Sequence, residues 1–376
     1  MGSVHTSAGA DARLSQERAD AAQPASLRTI SAISEDERVY SVGKLAALVH
    51  TLYREGIPPS KALRGVDLAE DALHRSSTRV SAGQLIRICR NALALSHDPH
   101  LPFHAGMGVH LSTYGIYGFA ILSSSNFRKA IAFALRYHQL AFPLVDLSWR
   151  EERGRDTWTL LPIPTLHLDT RLLHFVIEFE LAIVLSLHRD MMGKALVPLE
   201  VHQPFNTPLD ARVYADMFGC PVVFGQTHAR IIFDSRRLEG ELLFGNEIAH
   251  SELVNLCDEL LREMRLRIGI AGRVREILLV NRMTRMGVAE VAKELHMTER
   301  TLRRKLSQEN TSFRKILTEL RMRLASQYLR DTDLTVGEIA NSLGFTEDAS
   351  FRHAFRRWSK LAPGGFRARL QGRLRR

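Results

Sequence analysis

The sequence has little cysteine: Cys89, Cys220 and Cys257 are the only three, and they stand far apart. An odd, scattered set excludes a disulfide framework, argues against a cysteine-rich zinc site and fits a reducing cytoplasm. Long uncharged apolar runs are also missing. The nearest candidate, LLHFVIEFELAIVLSL at 172–187, carries Glu178 and Glu180. It falls short of the roughly 18 to 20 uncharged residues that a bilayer needs, so it reads as a buried core helix. The first 35 residues hold no signal-peptide core; rich in Ala, Ser, Gln and charge, they are expected to form a disordered tail. No GxSxG, Walker or HExxH motif occurs, so no catalytic site or cofactor is indicated.

What is present points to two folded domains. A chain of 376 residues exceeds one ordinary hydrophobic core, and 45% hydrophobic with 24% charged residues suits a soluble globular protein. The net charge of +10 is unevenly placed. Residues 273–376 hold 23 Lys and Arg against 11 Asp and Glu, whereas residues 1–272 hold 28 against 30. Basicity confined to one end is the footprint of a nucleic-acid-binding module joined to a neutral domain.

Helical spacing at 40–55, 81–95 and 126–140, with Ser41, Ser81 and Asn126 as caps, predicts a helical first part. The period then changes. LVDLSWREERGRDTWTLLPI reads as a hairpin around Gly154, a long helix covers about 170–189, and VPLEVHQP, CPVVF and ARIIFD supply three short strands. Residues 36–265 are therefore expected to form an α+β domain, with a helix at 247–267 leading out of it. Residues 266–376 read as all helical, with helices at 272–283, 288–295, 299–309, 312–330, 335–342 and 347–358.

That C-terminal region contains a repeat. At a spacing of 48, VAEVAKELHMTE (288–299) falls on VGEIANSLGFTE (336–347) without gaps. A short helix, a tight turn and a second helix make a helix-turn-helix, so the pattern predicts two such units joined by one long helix whose stripe runs Ile316, Leu317, Leu320, Leu324 and Tyr328. Arg300, Arg303 and Arg304 in the first unit, and Asp348, Ser350, Arg352 and His353 in the second, are the candidates for reading base edges. Thr298 and Thr346, placed to cap the second helices, join Arg314, Lys315, Arg356 and Arg357 as candidate phosphate contacts.

At these residues the chain resembles the AraC/XylS family of bacterial transcription regulators. Ile339, Ala340, Leu343, Gly344, Phe345, Ser350, Phe351, Phe355 and Arg356, then Pro363, Phe366 and Arg367, match its second-unit signature. Met297, Thr298, Arg300, Leu302, Arg304 and Leu306 match the first. His353 stands where the family commonly has Arg, and Lys360 where it has Gly. Upstream, GIPPSKAL, YGIYGFAILSSSNFRKAIAFALRYHQL and FGCPVVFGQTHARIIFDSRRL are similar to the arabinose-binding-like, ornithine-utilisation-regulator type of regulatory domain, so the likeness spans about 36–370. The resemblance implies an effector-responsive or self-associating domain in front of the DNA-binding one.

Other candidate sites are weaker. His97, His100, His104 and His110 lie within fifteen residues, but Pro99 and Pro102 interrupt a helix there, so a surface loop rather than a metal centre is expected. Tyr114, Tyr117, Phe119, Tyr137, His138 and Trp149 could line an effector pocket, ordinary core packing being the alternative for each. The reading is a cytoplasmic, sequence-specific transcription regulator that is not an enzyme and has no membrane association. Its expected partners are promoter DNA, a small-molecule effector, RNA polymerase and a second copy of itself. A DNA-modifying or repair enzyme carrying a helix-turn-helix module, or an architectural DNA-binding protein without an effector, remain the alternatives.

Overall fold

The alternating runs on either side of Gly154 fold as the hairpin their pattern predicts. The computed structural model describes residues 26–28 and 35–373, apart from 164, 165, 167, 209, 268, 281–285, 333 and 346. In chain order, strands β1 (Ser26–Arg28), β2 (Tyr40–Ser41) and β3 (Arg79–Val80) are interleaved with helices α1 (Gly43–Arg54), α2 (Pro59–Ala62) and α3 (Ala82–Leu95). Helices α4 (Leu101–Met107), α5 (Ile116–Leu122) and α6 (Phe127–Arg136) lead to strands β4 (Val145–Glu152) and β5 (Arg155–Pro162). Then come α7 (Thr170–Met192), β6 (Glu200–His202), α8 (Ala211–Phe218), β7 (Val222–Val223), β8 (Ala229–Asp234) and α9 (Glu247–Arg267).

Six of the strands form a sheet in the order β1-β4-β5-β8-β6-β7, antiparallel except for the β6–β7 pair, and β2 pairs separately with β3. Arg153 and Gly154, at φ 53° and 73°, make the two-residue turn between β4 and β5, the backbone that matches strand twist in a tight hairpin. It sets Trp149 opposite Trp158, and cross-strand partners share a face. Helix α7 packs on that face against β4, β5 and β8. Fifteen of its 23 residues are buried, Glu178 and Glu180 among them, so it is a core helix enclosed by protein.

The sequence expectations are corrected in four places. Ser26–Arg28, assigned to the tail, pairs with β4 and covers an edge whose backbone groups would otherwise lack partners; residues 1–25 and 29–34 of that tail lie outside the described residues. Ser41 lies in β2 and does not cap α1, whose N-cap position is held by Val42 without a side-chain bond, whereas Ser81 and Asn126 cap α3 and α6 as expected. The histidine-rich stretch is no surface loop, because Leu101–Met107 is helix α4. Pro102 sits in its first turn, where a missing N–H costs nothing, and Gly106 lets the helix press on α7: a Cβ there would lie 2.4 Å from the Phe179 carbonyl oxygen. Finally, α8 had no counterpart in the sequence reading.

Beyond α9 the described chain is helical throughout: α10 (Gly269–Val280), α11 (Val288–Glu294), α12 (Glu299–Gln308), α13 (Phe313–Asp331), α14 (Val336–Ser342), α15 (Asp348–Ser359) and α16 (Pro363–Arg373). Three apolar clusters result. One spans Val39 to Met264, a second Ala271 to Leu320, and a third Met322 to Phe355. The fold is thus an α+β part followed by an all-α part, and an ion pair at 3.0 Å joins them, from Arg275 on α10 to Glu37.

Candidate nucleic-acid interface and buried cavity

The two units of the repeat adopt one geometry. At the start of α11 the Gly287 amide donates to Glu290 Oε2 at 2.8 Å, and at the start of α14 the Thr335 amide donates to Glu338 Oε2 at 2.7 Å. These backbone bonds satisfy helix-start donors, and the one from Thr335 holds the Glu338 carboxyl below its usual range. The turns also match. His296 (φ 53°) and Gly344 (φ 73°), 48 positions apart, both bend into the left-handed region. Met297 N–H then reaches the Ala292 carbonyl at 2.9 Å, and Phe345 N–H reaches that of Ala340 at 3.0 Å.

The second helices differ by one residue. Thr298 caps α12, accepting from the Thr301 amide at 3.2 Å. Thr346 lies outside the described residues, and the N-cap position of α15 is taken by Glu347 without a side-chain bond. The one-residue delay brings Phe351 and Phe355 onto the core face, where Leu302 and Leu306 stand in the first unit. Helix α13 serves both cores. Ile316 and Leu320 enter the second cluster, Met322, Ala325 and Leu329 the third, and Leu324 touches each, so the helix buries two successive faces where a single stripe was expected.

Two arginines tie the second unit to α13. Arg321 lies 5.1 Å over the Phe345 ring and donates to the Gly344 carbonyl at 3.4 Å, holding the turn. Arg367, on the terminal helix α16 that the sequence pattern did not predict, donates to the Leu329, Thr332 and Leu334 carbonyls at 3.1, 3.2 and 2.6 Å. It satisfies the oxygens left over where α13 ends. Lys360 ends α15 at φ 63°, the conformation in which the family signature has glycine.

Every described residue singled out for DNA contact is exposed: Thr298, Arg300, Arg303, Arg304, Arg314, Lys315, Asp348, Ser350, Arg352, His353, Arg356 and Arg357. Arg303 pairs loosely with Glu299 at 3.4 Å, whereas Arg300, Arg304, Arg352, Arg356 and Arg357 have no ion-pair partner among the described residues. Asp348 is turned toward its own protein, its carboxylate lying over the start of α14, where a Cβ on Gly337 would stand 2.8 Å from Oδ2.

In the first part, a cavity of about 70 Å³ lies between α1, α5, α6, α7 and the β4–β5 hairpin. Of the six pocket candidates Tyr114, Tyr117 and His138 line it. The others do not. Phe119 projects outward at 51% exposure; Tyr137 is directed to Asp258, to which its hydroxyl donates at 2.7 Å; Trp149 is buried beyond the cavity wall, its strand partner Trp158 taking the lining position. Sequence reasoning missed Lys44, Glu180 and His188. Lys44 Nζ donates to Glu180 Oε1 at 2.5 Å and to the Phe142 carbonyl at 3.1 Å. A charge inside an apolar run was the available signal, and Glu180 carries it.

The histidine-rich stretch builds no common centre. His100 faces Asp210 at 3.1 Å, His104 faces Asp98 at 2.7 Å and His110 faces Asp190 at 3.0 Å. Among the described residues no three potential ligands converge on a point that could hold a metal ion.

Two helix-turn-helix units on one helix, both turning cationic surfaces outward behind an α+β domain, define a DNA-binding transcription regulator. Residues 56–242 match the N-terminal arabinose-binding domain of AraC transcription regulator, and residues 291–369 match a helix-turn-helix domain. The chain is 30% identical over 321 residues to the ornithine utilization regulator of Pseudomonas aeruginosa, which covers 85% of this chain and 94% of that one. It is 40% identical over 84 residues to the urease operon transcriptional activator of Escherichia coli, 22% of this chain and 28% of that one. The crystal structure of transcriptional regulator CdpR from Pseudomonas aeruginosa is similar with a TM-score of 0.44 and 24% identity, over 87% of this chain and 98% of that one. The chain belongs to the AraC family of transcription regulators. Among its described residues no helix is long and apolar enough to cross a membrane.

Proposed function

We propose that residues 266–376 read two neighbouring major-groove segments of one promoter, and that residues 36–265 form an effector-sensing and self-associating domain that sets how often this happens. The observation that carries the reading is the pairing of two separately cored units on α13. Its 19 residues span about 28 Å at 1.5 Å per residue, close to the roughly 34 Å of one DNA turn. Arg300, Arg303 and Arg304, with Ser350, Arg352 and His353, face bases; Thr298, Arg314, Lys315, Arg356 and Arg357 anchor on phosphates. Asp348 takes a structural place at the start of α14. The protein acts in the cytoplasm without catalysis, as a dimer that touches RNA polymerase, and the cavity beside Lys44 receives the effector.

The test is binding of the full chain to the promoter beside its own gene and to scrambled DNA across a salt series. Arg304→Ala should weaken promoter binding by about 1 to 3 kcal/mol and leave scrambled DNA nearly unaffected. Arg357→Ala should weaken both and lower the slope of log affinity against log salt by about 0.9. Equal losses on both DNAs for Arg304→Ala would remove its reading role.

A further inference from the structure

The cavity beside Lys44 has a chemistry that its walls define. Most of the lining is aliphatic, with Leu111, Ile121, Ile131, Leu147, Ile183 and Met191 among it. Its one cation and one carboxylate already neutralise each other: the Lys44 side chain is 2% exposed, is held by Glu180 and by the Phe142 carbonyl, and lies 5.8 Å over the Phe179 ring. The imidazoles are uncharged. His188 Nδ1–H donates to the Val184 carbonyl at 2.7 Å and His138 Nε2–H to that of Val145 at 3.3 Å, and burial lowers both rings to about 4. A bound ion would therefore find no free counter-charge.

Two polar atoms at this wall are left over. His188 Nε2 and Trp158 Nε1 are buried, belong to residues that line the cavity, and have no hydrogen-bond partner among the described residues. Their residues are 3% and 4% exposed, and the two rings meet edge to face at 5.5 Å. Buried polar atoms are nearly always paired, so an acceptor and a donor without partners, on two neighbouring rings of the cavity wall, are an unmet requirement. Because Nδ1 carries the proton, Nε2 of His188 accepts; the indole N–H of Trp158 donates.

Resting on the proposed reading of this cavity as the effector site, we propose that it binds an uncharged, chiefly apolar small molecule carrying a single hydroxyl or carbonyl group. An amino acid or a carboxylate would have to separate Lys44 from Glu180 or remain unpaired in a low-dielectric space. A sugar would bury several hydroxyls against aliphatic walls. At about 70 Å³ the space is smaller than the roughly 150 Å³ that holds a benzene ring in an engineered cavity, so the ligand is compact or enters as the flexible Met191 side chain turns aside.

The test uses the full-length chain and n-alkanols from butanol to octanol, read by Trp emission and calorimetry. Butyrate, butylammonium, L-ornithine and L-arabinose are the comparators. Saturable alkanol binding should tighten about fourfold per added methylene until the cavity is full, with butyrate and butylammonium at least about a hundredfold weaker than butanol. Trp158→Phe, which deletes the indole donor, should abolish most of the emission change and weaken calorimetric binding of each alkanol by about three- to tenfold. Ala134→Leu should weaken alkanol binding at least tenfold, and the smaller Ala134→Val should act in the same direction if the leucine variant does not fold. No saturable binding of any alkanol, or butyrate or L-ornithine binding as tightly as butanol, overturns the proposal. Promoter preference measured on the same preparation keeps the two readings apart: its loss overturns the regulator reading, and its persistence without alkanol binding overturns the cavity assignment alone.

Discussion

The buried pair Lys44–Glu180 offers a sharp test of how the regulatory part is held together. Lys44 opens α1 and Glu180 sits in the middle of α7, and both side chains are almost wholly removed from water at 2% and 9% exposure. Lys44→Met keeps the length of the side chain and deletes its charge, leaving a carboxylate among Ile, Leu and Val neighbours. Removing one partner of a buried pair costs about 3 to 5 kcal/mol, because the other charge stays desolvated without compensation. Glu180→Leu should cost about the same, the Phe142 carbonyl being a poor substitute for a carboxylate. The double variant leaves no ion behind, and replacement of both by apolar groups of similar volume is often neutral or stabilising. It should therefore lie within about 2 kcal/mol of the parent, against roughly 6 to 10 kcal/mol if the single losses added. Urea unfolding followed by Trp emission measures this, with exposed Trp358 replaced by Phe so that only Trp149 and Trp158 report. A double variant as unstable as the sum of the singles would refute the reasoning, as would a Lys44→Met loss below about 1 kcal/mol.

The turns, a buried carboxyl and the end of α13 give three more expectations. His296→Gly should stabilise the C-terminal part by roughly 0.5 to 1 kcal/mol by relieving the left-handed backbone, whereas Gly344→Ala should cost a similar amount or more, as thermal unfolding of the two variants will register. Burial raises the Glu178 carboxyl from 4.5 to about 8, so its stabilising contribution is complete below pH 4.5 and fades as pH climbs toward 8. Between pH 6.5 and 8 the parent should lose about 2 kcal/mol relative to Glu178→Gln; an unchanged gap across that range contradicts the buried-acid account. His138, His174 and His188, all lowered to about 4 by burial, act with the opposite sign, and their contribution is lost only as pH falls from 6.5 toward 4. Arg367→Met leaves three carbonyls without their donor, so chemical unfolding should show a loss of about 1.5 to 3 kcal/mol.

Much of the DNA-facing half was legible in the sequence because its signals are local. The helix-turn-helix pattern within each repeat, the Thr298 cap, the inward leucines and phenylalanines and the outward arginines all depend on spacings of a few residues within a helix or a turn. The hairpin around Gly154 and the caps at Ser81 and Asn126 were readable for the same reason. Where the sequence reading failed, the deciding partner lay elsewhere in the chain. Helix α4 forms where prolines argued against it because Gly106 can press against α7, and Ser26–Arg28 is a strand because β4 has an open edge.

The amino-acid order alone determined that this chain carries two cationic helix-turn-helix units, since periodicity and turn chemistry act over a few residues. Only the tertiary structure decided that Lys44 would meet Glu180 across 136 positions and that Trp158, not Trp149, would line the cavity with His188. A cavity is a property of surfaces brought together from distant segments, and no local pattern encodes where those surfaces leave space.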